Sequence, residues 1–168
     1  MCPGTRRRRG GLTTLAEASS KGACSAAPRD AAALWALGAA LAEKFPPPRV
    51  VLLSGPLGVG KTTLAQGWLS GLGVQDRVKS PTFDLVHPHT WPGGVAYHVD
   101  LYRLTPAPPP EELDVLLPPT GGVVLVEWGE PWRRYAPRRV EVELSWPSAD
   151  GEGRTVVVRE VGVEGGPS

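Results

Sequence analysis

The chain has 168 residues with 18 basic and 17 acidic side chains, which favours one compact domain close to electrical neutrality. This balance argues against a protein that binds DNA through its overall charge, so we expect no DNA partner. Hydrophobic residues make up 41% of the chain, which is enough for a core, and no apolar run is long enough for a membrane helix.

The two ends of the chain differ from its middle. Residues 1–29 have no hydrophobic periodicity and contain four consecutive arginines, so we expect a disordered extension, and likewise a disordered tail over 163–168. Cys2 and Cys24 show no CxxC or Cys/His ligand spacing, so neither a disulfide framework nor a zinc site is supported. The folded domain is therefore expected over 30–162, in the reducing cytoplasm.

The domain is predicted to begin with a helix, a buried strand and a second helix. Apolar residues recur at spacings of three and four between Asp30, which can cap the helix, and Phe45. The prolines at 46–48 forbid its continuation. The apolar, β-branched run 49–54 predicts a buried strand, and 61–72 predicts the second helix.

Strands dominate the rest of the predicted domain. Valine-rich runs at 95–100 and 123–127 predict two further strands, with a short helix around 111–117 between them. Alternating apolar residues at 140–144 and 155–159 predict a terminal antiparallel hairpin. Strands that alternate with helices indicate an α/β sheet.

A glycine-rich loop carries the clearest chemical signal. Residues 55–62, GPLGVGKT, match the pattern GxxxxGK[ST] between a predicted strand and a predicted helix. Backbone N–H groups of such a loop point at phosphate oxygens, Lys61 reaches the β and γ phosphates, and the Thr62 hydroxyl can ligate Mg²⁺. The expected fold is therefore a P-loop NTPase-like three-layer sandwich with a mostly parallel central sheet. The candidate nucleotide-binding residues of the loop are Leu57, Gly58, Val59, Gly60, Lys61, Thr62 and Thr63.

The expected ligand is ATP with Mg²⁺. The chain contains no asparagine, so it lacks the NKxD signature with which common GTPases select guanine.

Two carboxylates end predicted parallel strands, where ligands collect in such sheets. We favour Glu127 for the Mg²⁺ ion and Asp100 for orienting the attacking water, although the two roles can be exchanged; with Lys61 they are the candidate catalytic residues. The loop 79–82 follows the second helix, where switch loops sense the γ-phosphate, but by spacing alone an ordinary turn has equal weight.

Four blocks of sequence carry a family resemblance: 55–63, 78–83, 97–104 and 125–128. In order and spacing they closely resemble the bacterial TsaE (YjeE) family. The resemblance implies a small ATPase that joins the TsaD–TsaB complex and supports N6-threonylcarbamoylation of adenosine 37 in tRNA, which it meets only through that complex. It also implies that Ser80 and Thr82 lie in a switch-like loop, and that Trp128 accompanies Glu127 at the nucleotide.

Two other functions remain open at this stage. A small-molecule kinase is the main alternative, with Arg133, Arg134, Arg138 and Arg139 closing over the phosphates. The second is a docking module that responds to ATP without hydrolysing it. We interpret His87, His89 and His98 as loop or strand residues, and Trp128 and Trp132 either as partner-facing anchors or as core.

Overall fold

The computed structural model of the protein describes residues 16–18, 23–75, 85–104, 121–147 and 153–162. The helices are α1 (Ala31–Lys44) and α2 (Lys61–Leu72), with short 3-10 helices at Tyr102–Leu104 and Glu130–Arg134. The strands are β1 (Ala16–Ala18), β2 (Ala23–Ala26), β3 (Arg49–Ser54), β4 (Val86–Trp91), β5 (Gly94–Asp100), β6 (Val123–Glu127), β7 (Arg139–Ser145) and β8 (Thr155–Val161). No helix in these ranges is both long and apolar enough to cross a membrane.

The described strands form one eight-stranded sheet in the order β1-β2-β8-β7-β3-β6-β5-β4. The central strands β7, β3, β6 and β5 are parallel to one another, whereas β8, β2 and β1 on one side and β4 on the other pair antiparallel. This confirms the predicted α/β fold with its parallel centre and C-terminal antiparallel hairpin. The register sets Asp100 opposite Glu127, so two acids share one end of the sheet.

Apolar side chains cover both faces of the sheet. Val51, Leu53 and Leu125 belong to the core that includes α1 and α2. The alternate residues of the strands form a second core around the fully buried Trp132 on the other face, so this tryptophan is core and not a partner-facing anchor. The helix expected around 111–117 lies outside the described residues.

Helix α1 begins and ends where the sequence predicts. The Ala33 N–H donates to the Asp30 carboxylate at 2.7 Å, and this cap satisfies one of the free amides at the helix start. At the other end Phe45 is buried and stacks on Trp68 of α2, with 6.3 Å between ring centroids. Burial of these apolar residues against α2 holds α1 on the sheet.

Glycines allow α1 and α2 to approach closely. A Cβ at Gly67 of α2 would lie 2.0 Å from the Trp35 carbonyl oxygen of α1, and one at Gly38 would lie 2.2 Å from the Leu64 carbonyl oxygen. Both distances are far below van der Waals contact, so the helix spacing requires glycine at these positions. The close approach keeps the start of α2 in one place relative to the sheet.

The structure corrects two boundaries. The predicted disordered extension is wrong for β1 and β2, since β2 pairs with β8; an Ala- and Ser-rich strand obtains its stability from the neighbouring strand and not from its own pattern. Strand β4 was missed because Pro88 interrupts its pattern, but β4 is an edge strand, where proline is tolerated. Cys24 is disulfide-bonded, although the spacing of the cysteines in the sequence supports no disulfide framework.

We predict that Gly67→Ala lowers the free energy of unfolding by about 1–3 kcal/mol, because the added methyl group forces the two helices apart. Alanine is the better helix former by about 1 kcal/mol, so intrinsic propensity alone predicts the opposite sign. Urea unfolding of this variant beside Glu43→Ala, at an exposed position of α1, measures the effect. A Gly67→Ala protein as stable as the parent would contradict the close approach.

Candidate phosphate-loop site

The loop between β3 and α2 has the backbone form of a phosphate cradle. Gly55, Gly58 and Gly60 have φ values of 138°, 75° and 112°, a region that residues with a Cβ rarely adopt. A Cβ on Gly55 would also lie 2.3 Å from the Leu144 carbonyl oxygen of β7. Helix α2 has no side-chain cap and no acidic residue in its first turn, so its free N–H groups and positive dipole end remain available to an anion.

Lys61, the first residue of α2, is buried and folds back over the loop. Its Nζ donates to the carbonyl oxygens of Gly55 at 2.7 Å and Pro56 at 2.8 Å, and lies 3.8 Å from the centroid of a Trp128 ring. Burial lowers the pKa of Lys61, and the nearby Glu127 acts most strongly in the opposite direction. The ammonium group is thus held at the loop by neutral acceptors that an anionic ligand can replace.

Glu127 connects three elements at the carboxyl end of the sheet. The residue is buried at 3% exposure, and its Oε2 accepts a hydrogen bond from the Thr62 hydroxyl at 2.9 Å. Oε1 lies 2.8 Å from Nε2 of the fully buried His98. A hydroxyl from α2 and a carboxylate from β6 therefore present oxygen atoms side by side.

Asp100 lies beside this group on β5. Its Oδ1 accepts a hydrogen bond from the Tyr102 N–H at 2.9 Å. Burial raises the pKa of Asp100, the Tyr102 hydrogen bond opposes this, and the negative charge of Glu127 adds to it. Of the two acids it is Glu127 that contacts Thr62, in agreement with the preferred order of roles; the roles themselves remain predictions.

Trp128 has an unusual backbone for its residue type. Its φ of 59° is the only positive value among the described non-glycine residues, and such a conformation costs about 1–3 kcal/mol. It directs the indole over Lys61, and the Tyr102 ring packs on it at 5.1 Å between centroids. The strained backbone of Trp128 thus places an aromatic ring over the ammonium group of Lys61.

Arg154, which the sequence analysis did not single out, supports the loop from the far side. Its Nε donates to the Val59 carbonyl oxygen at 2.6 Å, across 95 positions of sequence. A Cβ on Gly60 would lie 3.4 Å from the same nitrogen, and the guanidinium lies 5.3 Å from the Trp146 ring. The C-terminal hairpin therefore contributes a charged brace to the phosphate loop.

The structure brings most of the predicted site residues together. Loop 55–60, Lys61, Thr62, Asp100, Glu127 and Trp128 surround the start of α2, with Thr63 in its first turn and Leu57 exposed. Ser80 and Thr82 lie outside the described residues.

Sequence reasoning overlooked the contact of His98. The available signal is its position two residues before Asp100, which puts both on one face of β5.

The arginine cluster after β6 is partly paired. The side chain of Glu141 accepts hydrogen bonds from Arg133 at 3.1 Å and from Arg139 at 2.7 Å. Two of the four arginines therefore form ion pairs with Glu141 of β7.

A glycine loop between a buried parallel strand and a helix, with strand-end acids beside it, defines an α/β protein of the P-loop type. Residues 28–159 match the family described as threonylcarbamoyl adenosine biosynthesis protein TsaE. The chain belongs to the TsaE family.

Relatives from two bacteria agree with this assignment. The Haemophilus influenzae tRNA threonylcarbamoyladenosine biosynthesis protein TsaE is 46% identical over 85 residues, covering 48% of this chain and 52% of that protein. Its Streptomyces coelicolor namesake is 45% identical over 97 residues, covering 56% and 66%. The matched stretches thus span between half and two thirds of these relatives. The crystal structure of Bacillus subtilis YdiB superposes with a TM-score of 0.67 at 25% identity, covering 83% of this chain and 86% of that one.

We predict that Arg154→Ala increases hydrogen exchange at the amides of the phosphate loop, because the Val59 carbonyl loses its charged donor. Exchange followed by mass spectrometry on peptides covering 55–61 measures this. Arg159→Ala is the control, since Arg159 lies on the same hairpin and forms an exposed ion pair with Glu143. Equal protection of the loop in both variants would show that Arg154 does not brace it.

Proposed function

We propose that the chain binds and hydrolyses ATP with Mg²⁺ at the phosphate loop, as a component of the machinery that makes N6-threonylcarbamoyladenosine in tRNA. Membership of the TsaE family supports the tRNA modification role. The observation that carries the nucleotide role is the 2.9 Å hydrogen bond between Thr62 and Glu127 at the open start of α2. The proposed partners are TsaD and TsaB, and tRNA is met through that complex.

The residues of the site fit Mg²⁺ and a triphosphate. Mg²⁺ prefers oxygen ligands and takes one or two from the protein and the rest from phosphates and water. The Thr62 hydroxyl and Glu127 carboxylate supply such oxygens, and the start of α2 supplies N–H donors for phosphate. When bound, the ion would neutralise charge on the phosphate oxygens.

Three side chains have assignable tasks in this proposal. Lys61 exchanges its two backbone carbonyl contacts for phosphate oxygens, and Trp128 covers it and limits water access. Asp100 orients the attacking water. The burial that raises its pKa also makes its carboxylate a better proton acceptor.

The kinase alternative gains no support from the arginine cluster. A lid that closes over phosphates needs guanidinium groups free to move, whereas Arg133 and Arg139 are both bound by Glu141. We therefore prefer hydrolysis coupled to a partner. The Glu127→Gln experiment distinguishes ATP hydrolysis from a docking module that binds ATP without hydrolysing it.

We predict that Lys61→Ala weakens binding of Mg-ATP more than tenfold, because a charged hydrogen bond to phosphate is lost from a partly dry site. Isothermal titration with a non-hydrolysable ATP analogue measures the affinity. Lys44→Ala removes the same charge from the last turn of α1 and is expected to leave binding unchanged. Equal affinities for parent and Lys61→Ala would contradict the assignment of the loop.

We predict that Glu127→Gln weakens binding of Mg-ATP about 10- to 100-fold and, at saturating nucleotide, lowers ATP hydrolysis about 100-fold or more in the presence of TsaD and TsaB, because the amide cannot replace the carboxylate at the ion. Phosphate release with and without the two partners measures the effect, and retention of the protein on immobilised TsaD–TsaB in ATP or ADP measures docking.

Three outcomes would count against parts of the proposal. A rate that is unaffected by the partners would contradict the partner assignment. Full tRNA modification with Glu127→Gln would favour the docking module, and transfer of labelled phosphate to a metabolite would favour the kinase.

A further inference from the structure

His98 is a buried polar residue that the nucleotide chemistry described above does not use. It lies on β5 with 0% exposure, on the sheet face that also carries Leu125 and the two α-helices. Burying an imidazole in apolar surroundings costs free energy that a leucine would not incur. A purely space-filling role therefore does not account for histidine at this position.

Within the described part of the chain, the His98 side chain makes one hydrogen bond, and its partner indicates its role. Nε2 lies 2.8 Å from Glu127 Oε1, whereas the buried Nδ1 has no hydrogen-bond partner among the described residues. The carboxylate accepts only, so the ring proton is assigned to Nε2, and Nδ1 is left as the unprotonated acceptor. This tautomer makes the one strong hydrogen bond that the surroundings offer.

The strand register explains how the two side chains meet. His98 pairs with Leu125, two positions before the pair formed by Asp100 and Glu127, so all four residues share a face of the sheet. Two residues along a strand span about 6.6 Å, so the Glu127 side chain reaches His98 by leaning back along β6. The other carboxylate oxygen then faces Thr62 on α2.

We propose that His98 is a positioning residue for the metal side of the site: its Nε2–H holds Glu127 Oε1, so that Oε2 stays beside the Thr62 hydroxyl and both oxygens are presented together. A free glutamate side chain has three rotatable bonds, so fixing it at the moment of binding costs conformational entropy. The contact from β5 fixes it in advance. This inference rests on the proposed function, because it assumes that the Thr62–Glu127 pair meets Mg²⁺.

Three substitutions at position 98 test the role of the nitrogen at Nε2. The amide nitrogen of His98→Gln can occupy nearly the place of Nε2, that of His98→Asn reaches only the place of Nδ1, and His98→Leu has neither. The measurement is the gain in affinity for a non-hydrolysable ATP analogue as free Mg²⁺ is raised, with Mn²⁺ binding followed by electron paramagnetic resonance as the second readout. We expect Leu and Asn to reduce metal affinity about 10- to 100-fold and Gln to stay within a few-fold of the parent.

Defined results overturn the inference. Metal coupling equal to the parent in all three variants, or equally reduced in Gln, Asn and Leu, shows that the Nε2 hydrogen bond does not position Glu127. Thermal unfolding identifies any variant that fails to fold, and nitrogen NMR of the parent imidazole then decides instead: a proton on Nε2 supports the inference, and a proton on Nδ1 alone overturns it. If the parent itself binds no nucleotide with Mg²⁺, the proposed function fails, which is distinct from failure at His98 alone.

Discussion

The hydrogen bonds of one buried carboxylate connect the elements of the candidate site. Glu127 ends the central strand β6, and its two oxygens contact Thr62 on α2 and His98 on β5. A carboxylate at 3% exposure is costly unless such partners compensate its lost hydration. The positions of β5, β6 and α2 relative to one another are therefore coupled to the state of this side chain.

The surrounding structure limits how far these elements can move. The contact between α1 and α2 depends on Gly38 and Gly67, so the start of α2 cannot shift without opening the helix pair. Arg154 holds the loop from the C-terminal hairpin through the Val59 carbonyl. The contact between the helices and the Arg154 hydrogen bond thus hold the phosphate loop in place without a bound anion. This preorganisation reduces the entropic cost of binding an anion.

Local patterns account for what the sequence could predict. The limits of β3, β6 and α2 follow from an apolar run, a valine run and a glycine loop, each of which specifies its structure within a few residues. The P-loop pattern and the strand-end acids Asp100 and Glu127 likewise depend on short spacings. Strands β1 and β2 and the brace by Arg154 depend on partners far away in sequence, so no local pattern could reveal them. His98 is an intermediate case, because the alternation along β5 predicts its face but not its contact with β6.

The charges at the site suggest why metal and nucleotide should bind together. The negative charges of Glu127, Glu130 and Asp100 all act to raise the pKa of Lys61, against the larger effect of burial, which lowers it. A triphosphate alone would bring further negative charge toward Glu127 and Asp100, and repulsion would offset much of the attraction by Lys61 and the start of α2. A divalent cation held by the oxygens of Glu127 and Thr62 would offset that repulsion. Nucleotide binding at this loop is for this reason expected to depend on the metal, and the alignment of Glu127 sets how strongly.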